Sequence, residues 1–176
     1  MTLAIRQKAP TFTLPDTDGR EHSLPDGQVA AVIFTCNHCP YALAWHERIL
    51  QAAHDYAQRG VRFLLVNPND AERYPPDSYA AMRERVQSAG GWPAPYLRDE
   101  SQEVARGYGA EATPDVFILD VDLRLRYRGA PDADHKDPGQ DAAWLRGALD
   151  AVLEGRDPEP ALTDPIGCSV KWKPGG

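Results

Sequence analysis

The apolar pattern first becomes continuous at Val29-Ala30-Ala31-Val32-Ile33-Phe34, six residues without a polar member, which predicts a buried strand running to Thr35. After Pro40 the period changes. From Tyr41 to Arg59, at about 100° per residue, Trp45, Ile49, Leu50, Ala53 and Tyr56 gather on one face, and Glu47, Arg48, Gln51, His54, Asp55 and Gln58 on the other. That is an amphipathic helix, stopped by Gly60. A second strand, Val61 to Val66, follows at once and completes a βαβ unit.

The rest of the pattern fits around this unit. Phe12 to Leu24 alternates about the turn signal Asp18-Gly19 and predicts a hairpin. Asn67 to Pro76 is loop, and Asp77 or Ser78 caps a helix that runs to about Ser88 and ends at Gly90-Gly91. Trp92 to Leu97 predicts a short strand interrupted by proline, and a helix runs from about Ser101 to Gly107–Gly109. Asp115 to Asp120 and Leu123 to Arg128 predict a hairpin introduced by Thr113-Pro114. Asp141 to Leu153 predicts a last amphipathic helix, with Ala142, Leu145, Leu149 and Val152 inward. The expected organisation is one α/β domain over residues 1–155 and a Pro-rich tail over 156–176. The tail regains order at Ile166–Lys173 and docks on the same domain.

Composition narrows the function. With 176 residues, 42% hydrophobic and 26% charged, the chain suits a single core. A net charge of −7 argues against nucleic-acid or anionic-membrane partners, which need clustered Lys and Arg. No segment has the length and apolarity of a signal peptide or a membrane span, so a cytoplasmic location is expected. In a reducing compartment three cysteines do not make a disulfide framework, so the closely spaced pair is read as redox-active or metal-binding.

That pair lies in Thr35-Cys36-Asn37-His38-Cys39-Pro40, between a strand and a helix. Unpaired N–H groups and the positive end of the helix dipole stabilise a thiolate there. Cys36, at the start, is expected to be the more exposed nucleophile, with Cys39 the inward resolving thiol and His38 a stabiliser of the Cys36 thiolate. Pro40 sits in the first turn, where its missing N–H costs nothing. The competing reading of CxxC is half a zinc site, but no second CxxC or HxxxH pair supplies the other half. His46 falls at the angle of Cys39, about 10 Å further along the axis. It is read either as a hydrogen-bonded core histidine or as a proton relay beneath Cys39. His22, His54 and His135 are read as surface residues.

The order of elements resembles the thioredoxin fold in its redoxin variant, specifically the alkyl hydroperoxide reductase and thiol-specific antioxidant superfamily. The segments FTCNHCPYA (Phe34 to Ala42), NPND (Asn67 to Asp70), YPPDS (Tyr74 to Ser78), ATPDVFILD (Ala112 to Asp120) and IGCSVKWK (Ile166 to Lys173) resemble a bacterial subgroup of it. The resemblance implies a Cys36–Cys39 redox disulfide and a cis Thr113-Pro114 peptide packed against it. It also implies a helix–strand insertion from about Pro75 to Leu97. Thr113 would dock an extended partner by strand addition, with Pro114, Asn37 and Pro40 completing the substrate surface.

A thiol–disulfide oxidoreductase without cofactor is therefore expected, acting on a protein or small-molecule disulfide and recharged by an unidentified electron donor. The alternatives are a thiol peroxidase of the same superfamily and a metal module using Cys36, Cys39 and either His38 or Cys168. The chain departs from the resemblance in three ways. Ala30 and Ala42 stand where thioredoxin and its membrane-tethered relatives place an acid, so proton handling falls to His38 or His46. Neither cysteine has the PxxxTxxC context of peroxidases. Ala112 stands where some subgroup members carry a cysteine. Cys168 is read as an inert thiol in the tail, or as a third redox cysteine reaching Cys36 or a second subunit, with Lys171 and Lys173 lowering its pKa.

Overall fold

The computed structural model describes residues 2–175. Its elements in chain order are β1 (Thr13–Pro15), β2 (Glu21–Ser23), β3 (Ala30–Phe34), α1 (Pro40–Ala57), β4 (Arg62–Asn67), a 3₁₀ turn (Pro75–Asp77), α2 (Tyr79–Ser88), β5 (Tyr96–Arg98), α3 (Glu103–Tyr108), β6 (Ala112–Thr113), β7 (Asp115–Leu119), β8 (Leu125–Gly129), α4 (Ala143–Leu153) and β9 (Cys168–Ser169). A five-stranded sheet runs in the order β5-β4-β3-β7-β8. β3 pairs in parallel with β4, and β4 with β5, whereas β7 runs antiparallel to both β3 and β8. β1 and β2 form the expected hairpin.

β3 is central because it has no polar side chain to solvate, and all five of its residues are buried. Side chains alternate across the pleat, so its two faces serve two cores. Ala31 and Ile33 pack with Trp45, Ile49 and Ala53 of α1, Leu145 and Leu149 of α4, and Met82 of α2. Ala30, Val32 and Phe34 face Phe12, Tyr108 and Phe117. There Phe34, Tyr108 and Phe117 meet edge to face at 5.4–5.7 Å, an arrangement worth about 0.5–1.5 kcal/mol per pair beyond area burial.

Several boundaries differ from the sequence expectation. Pro93 and Pro95 cannot donate ladder hydrogen bonds, so the strand begins at Tyr96 rather than Trp92. The last helix starts at Ala143, since Ala142 adopts left-handed backbone (φ 63°) and its N–H is captured by Asp132 at 2.9 Å. Buried Asp132 also accepts from Trp45 Nε1 at 2.8 Å and Arg48 Nη1 at 3.0 Å, tying α1 to the 130–142 loop. His22 and His135 are half-buried rather than on the surface. His22 bridges Asp16 and Arg62, while His135 packs on Tyr41 at 4.2 Å and its carbonyl accepts from Arg48. Among the described residues no helix is long and apolar enough to cross a membrane.

The described part of the tail is bound at several points. Its short strand β9 pairs antiparallel with β6, Thr113 opposite Cys168 and Ala112 opposite Ser169. Val170 is buried, and its N–H donates to Glu111 O at 3.0 Å. The Lys171 N–H donates to Asn69 Oδ1, its carbonyl accepts from the Asp70 N–H and from Gln102 Nε2, and the Lys173 N–H donates to Gln102 Oε1. Trp172 lies under the Arg106 guanidinium at 4.5 Å.

Candidate active site

β3 ends in a short loop that carries Cys36 to Cys39, and α1 begins at once, with Cys39 as its N-cap and Pro40 exposed in the first turn. Both cysteines touch the residue before the proline of the opposite loop. Cys36 Sγ lies 3.3 Å from Thr113 Oγ1, and Cys39 Sγ lies 3.2 Å from Thr113 O. The Thr113-Pro114 peptide is cis. The pair and Thr113-Pro114, 74 residues or more apart in sequence, thus form one site.

The expectation that Cys36 is exposed is corrected: Cys36 is 1% accessible and Cys39 0%. β9 supplies part of the cover, with Cys168 and Tyr41 packed against the cluster of Cys36, Cys39 and Ala42. Gly167 makes this approach possible. A Cβ built on it would stand 2.2 Å from Thr113 O and 2.8 Å from Thr113 C, so only glycine fits. Gly167→Ala is expected to undock β9 at a cost of about 1–3 kcal/mol. Alkylation of Cys168 should then quicken by roughly tenfold or more, as read by timed iodoacetamide trapping.

The two thiols share protons. A hydrogen bond from Cys36 holds the Cys39 pKa down, to about 4, against the opposing effect of burial; the Cys168 thiol and the N–H groups of Ala42 and Cys168 assist. The same bond raises Cys36, followed by burial and then the charge of Asp77, with Thr113 Oγ1 and the His38 N–H opposing. A proton on Cys39 has Thr113 O as its acceptor, and Cys36 Sγ has Thr113 Oγ1 as its hydrogen-bond partner. The directions are thus a lowered Cys39 and a raised Cys36, the reverse of the lowering expected for Cys36 from its position at the start of the motif.

The buried carboxylate beside the cysteines comes from a residue read in the sequence only as a helix cap. Ser78 takes the cap, its Oγ accepting from Ala81 N at 3.1 Å. Asp77 is free to turn inward and is wholly buried. Its carboxylate accepts from Asn37 N (2.6 Å), Asn67 Nδ2 (3.1 Å) and Asn69 Nδ2 (3.0 Å). His38 Nδ1 lies 2.5 Å from Asp77 Oδ2, close enough for an ion pair but off the line of a directed hydrogen bond. Tyr74 stacks on the His38 ring, the planes 7° apart. Cys36, His38 and Asp77 present ligand atoms within 4.8 Å of one another.

Asn37 braces the cysteine loop. Its Oδ1 accepts from Tyr96 OH (2.7 Å) and Arg85 Nη1 (2.9 Å), and its Nδ2 donates to Pro76 O. His46 does not join the site. Its ring packs on Trp92 at 4.6 Å, and burial, aided by Arg85, lowers its pKa to about 4, so at neutral pH it is an uncharged imidazole. The sequence signal for Asp77 was the Pro75-Pro76 pair, which fixes the backbone entering a polar residue that the cap does not need.

The AhpC/TSA family model matches residues 5–128. Thiol-disulfide oxidoreductase ResA of Geobacillus thermodenitrificans is 27% identical over 129 residues, which are 70% of this chain and 68% of that protein. An uncharacterized conserved protein from Geobacillus kaustophilus superposes with a TM-score of 0.93 at 39% identity, over 99% of this chain and 95% of that one. A thiol:disulfide interchange protein of the thioredoxin family from Chlorobium tepidum, at 18% identity and a TM-score of 0.66 over 85% and 98% of the two chains, shares the fold.

Proposed function

Because the chain belongs to the AhpC/TSA family, a redoxin family of oxidoreductases with the thioredoxin fold, we propose that it exchanges disulfides with its substrates through Cys36 and Cys39. The carrying observation is that both sulfurs abut Thr113, at the edge where an extended substrate would add as a strand in place of β9. Cys36 attacks a substrate disulfide and forms a mixed disulfide. The Asp77–His38 pair takes its proton and returns it to the departing thiolate, doing the work that Ala30 and Ala42 leave undone. The Cys39 thiolate then attacks Cys36 Sγ, closing the Cys36–Cys39 bond and releasing the second substrate sulfur as its thiolate, which takes a proton from water. Substrates are protein or small-molecule disulfides, and an external thiol donor in a reducing compartment such as the cytoplasm recharges the pair.

Insulin reduction tests this reading. Cys36→Ser and Cys39→Ser are each expected to abolish turnover, with Cys36→Ser unable to form a mixed disulfide at that position. Peroxide consumption that needs one cysteine, without insulin reduction, would favour a thiol peroxidase. The S, N and O ligand set of Cys36, His38 and Asp77 also suits a transition metal. Stoichiometric zinc lost on Asp77→Ala, with no consumption of thiols on oxidation, would replace the redox reading by a metal site.

A further inference from the structure

Thiol–disulfide exchange needs two thiols, and a third stands beside them. Cys168 packs against the buried cysteine cluster, and its thiol and backbone N–H both help to hold the Cys39 pKa down. It is also the most exposed of the three, half-buried where the others are sealed. Its position is fixed by its pairing opposite Thr113, by the glycine at 167 that alone clears Thr113 O, and by the buried Val170 and bonded Lys171 that follow. The tail strand thereby occupies the edge assigned above to substrate and presents a sulfur to the pair.

We propose that Cys168 is a third redox-active cysteine, which takes the disulfide over from the Cys36–Cys39 pair as a Cys39–Cys168 bond and so returns Cys36 to the thiol state. The proposal rests on the thiol–disulfide reading of Cys36 and Cys39. When substrate has been reduced and β9 is docked, the Cys168 thiolate attacks Cys39 Sγ. The Cys39–Cys168 bond forms and the Cys36–Cys39 bond breaks. The electron pair leaves on Cys36, which takes up the proton given by Cys168, so there is no net oxidation. The disulfide now ends at the solvent-facing sulfur, where a thiol donor can reduce it without entering the sealed pair.

The electrostatics give the step a direction. In the reduced protein the Cys168 pKa is pushed up to about 11, by burial first, then by the bond to Cys39 and the Cys39 charge, with Lys171 opposing. Once Cys39 is in a disulfide, the bond and the charge are gone while Lys171 remains. Oxidation of the pair therefore makes Cys168 more nucleophilic.

Glutathione disulfide, acid quenching and peptide mapping test the proposal on the full chain. Cys36→Ser, with Cys36→Ala as a second form should the serine disturb the core, is expected to lose both remaining thiols as a Cys39–Cys168 disulfide free of glutathione. Cys36→Ser/Cys168→Ser should hold a lasting glutathione adduct. A Cys36→Ser and a Cys36→Ala protein that keep the adduct, or that do not react, would overturn the proposal. Cys168→Ser is the separate control. If it closes a Cys36–Cys39 disulfide while the Cys36 variants fail, only the role of Cys168 falls; if it closes none, the underlying two-cysteine reading falls as well.

Discussion

Asp77→Asn is expected to make Cys36 more acidic and yet slow the enzyme. The carboxylate lies within 4.8 Å of Cys36 Sγ and raises the pKa of that thiol. A full charge at that distance, at an effective dielectric of about 20, amounts to roughly 3.5 kcal/mol, or roughly 2.5 pKa units as an upper bound. A downward shift of at least about one unit should appear in the pH profile of Cys36 alkylation. Turnover in insulin reduction should nevertheless fall by about a hundredfold on the proposed mechanism, in which the Asp77–His38 pair takes the Cys36 proton. The asparagine also turns an amide toward donors of Asn37, Asn67 or Asn69, so a stability loss of about 1–3 kcal/mol accompanies the change and should be read separately by thermal melting. An unchanged alkylation profile in a folded variant would remove Asp77 from the chemistry.

The second large effect is structural. Asp115 follows Pro114 and is wholly buried; Arg128 bonds it twice, Nη2 to Oδ2 at 2.8 Å and Nε to Oδ1 at 3.2 Å, and also reaches Gly109 O. Arg128→Met leaves a buried carboxylate unpaired and should cost about 3–5 kcal/mol, lowering Tm by roughly 10 °C. Burial already pushes the Asp115 carboxyl above its ordinary 3.8, against the pull of Arg128. With the folded value above the unfolded one, the native state binds the extra proton, so stability falls as pH rises from about 3.8 through the raised value. Removing Arg128 raises the folded value further. The Tm deficit relative to the parent should be smallest in acid and grow toward neutral pH; a deficit independent of pH would show that lost packing on Phe117, not the orphaned charge, dominates.

What the sequence disclosed follows physical range. The β3–α1–β4 unit was legible because periodicity is local: six apolar residues, a helical stripe and Gly60 each act within a few positions. The burial of Cys36 was not, since part of its cover comes from a strand more than 130 positions away, and no local pattern announces that Gly167 faces Thr113. Asp77 was misread for a related reason. Asp and Ser are equally good caps, and only the fold reveals that Ser78 caps while Asp77 meets three amides. His46 was placed correctly on its helix but not in its surroundings, because a helical wheel gives an angle and not the Trp92 that fills it.

The 3₁₀ turn at Pro75–Asp77 has a consequence for transplantation. The CxxC loop and α1 look portable, a self-contained cassette between two strands. Asp77, however, arrives from the inserted segment, and so do the Tyr96 and Arg85 groups that brace Asn37, while Tyr74, stacked over His38, stands immediately before it. A minimal scaffold given only the cassette would receive both sulfurs without the carboxylate beside them. The insertion and the cysteine loop are one functional unit, to be moved together or not at all.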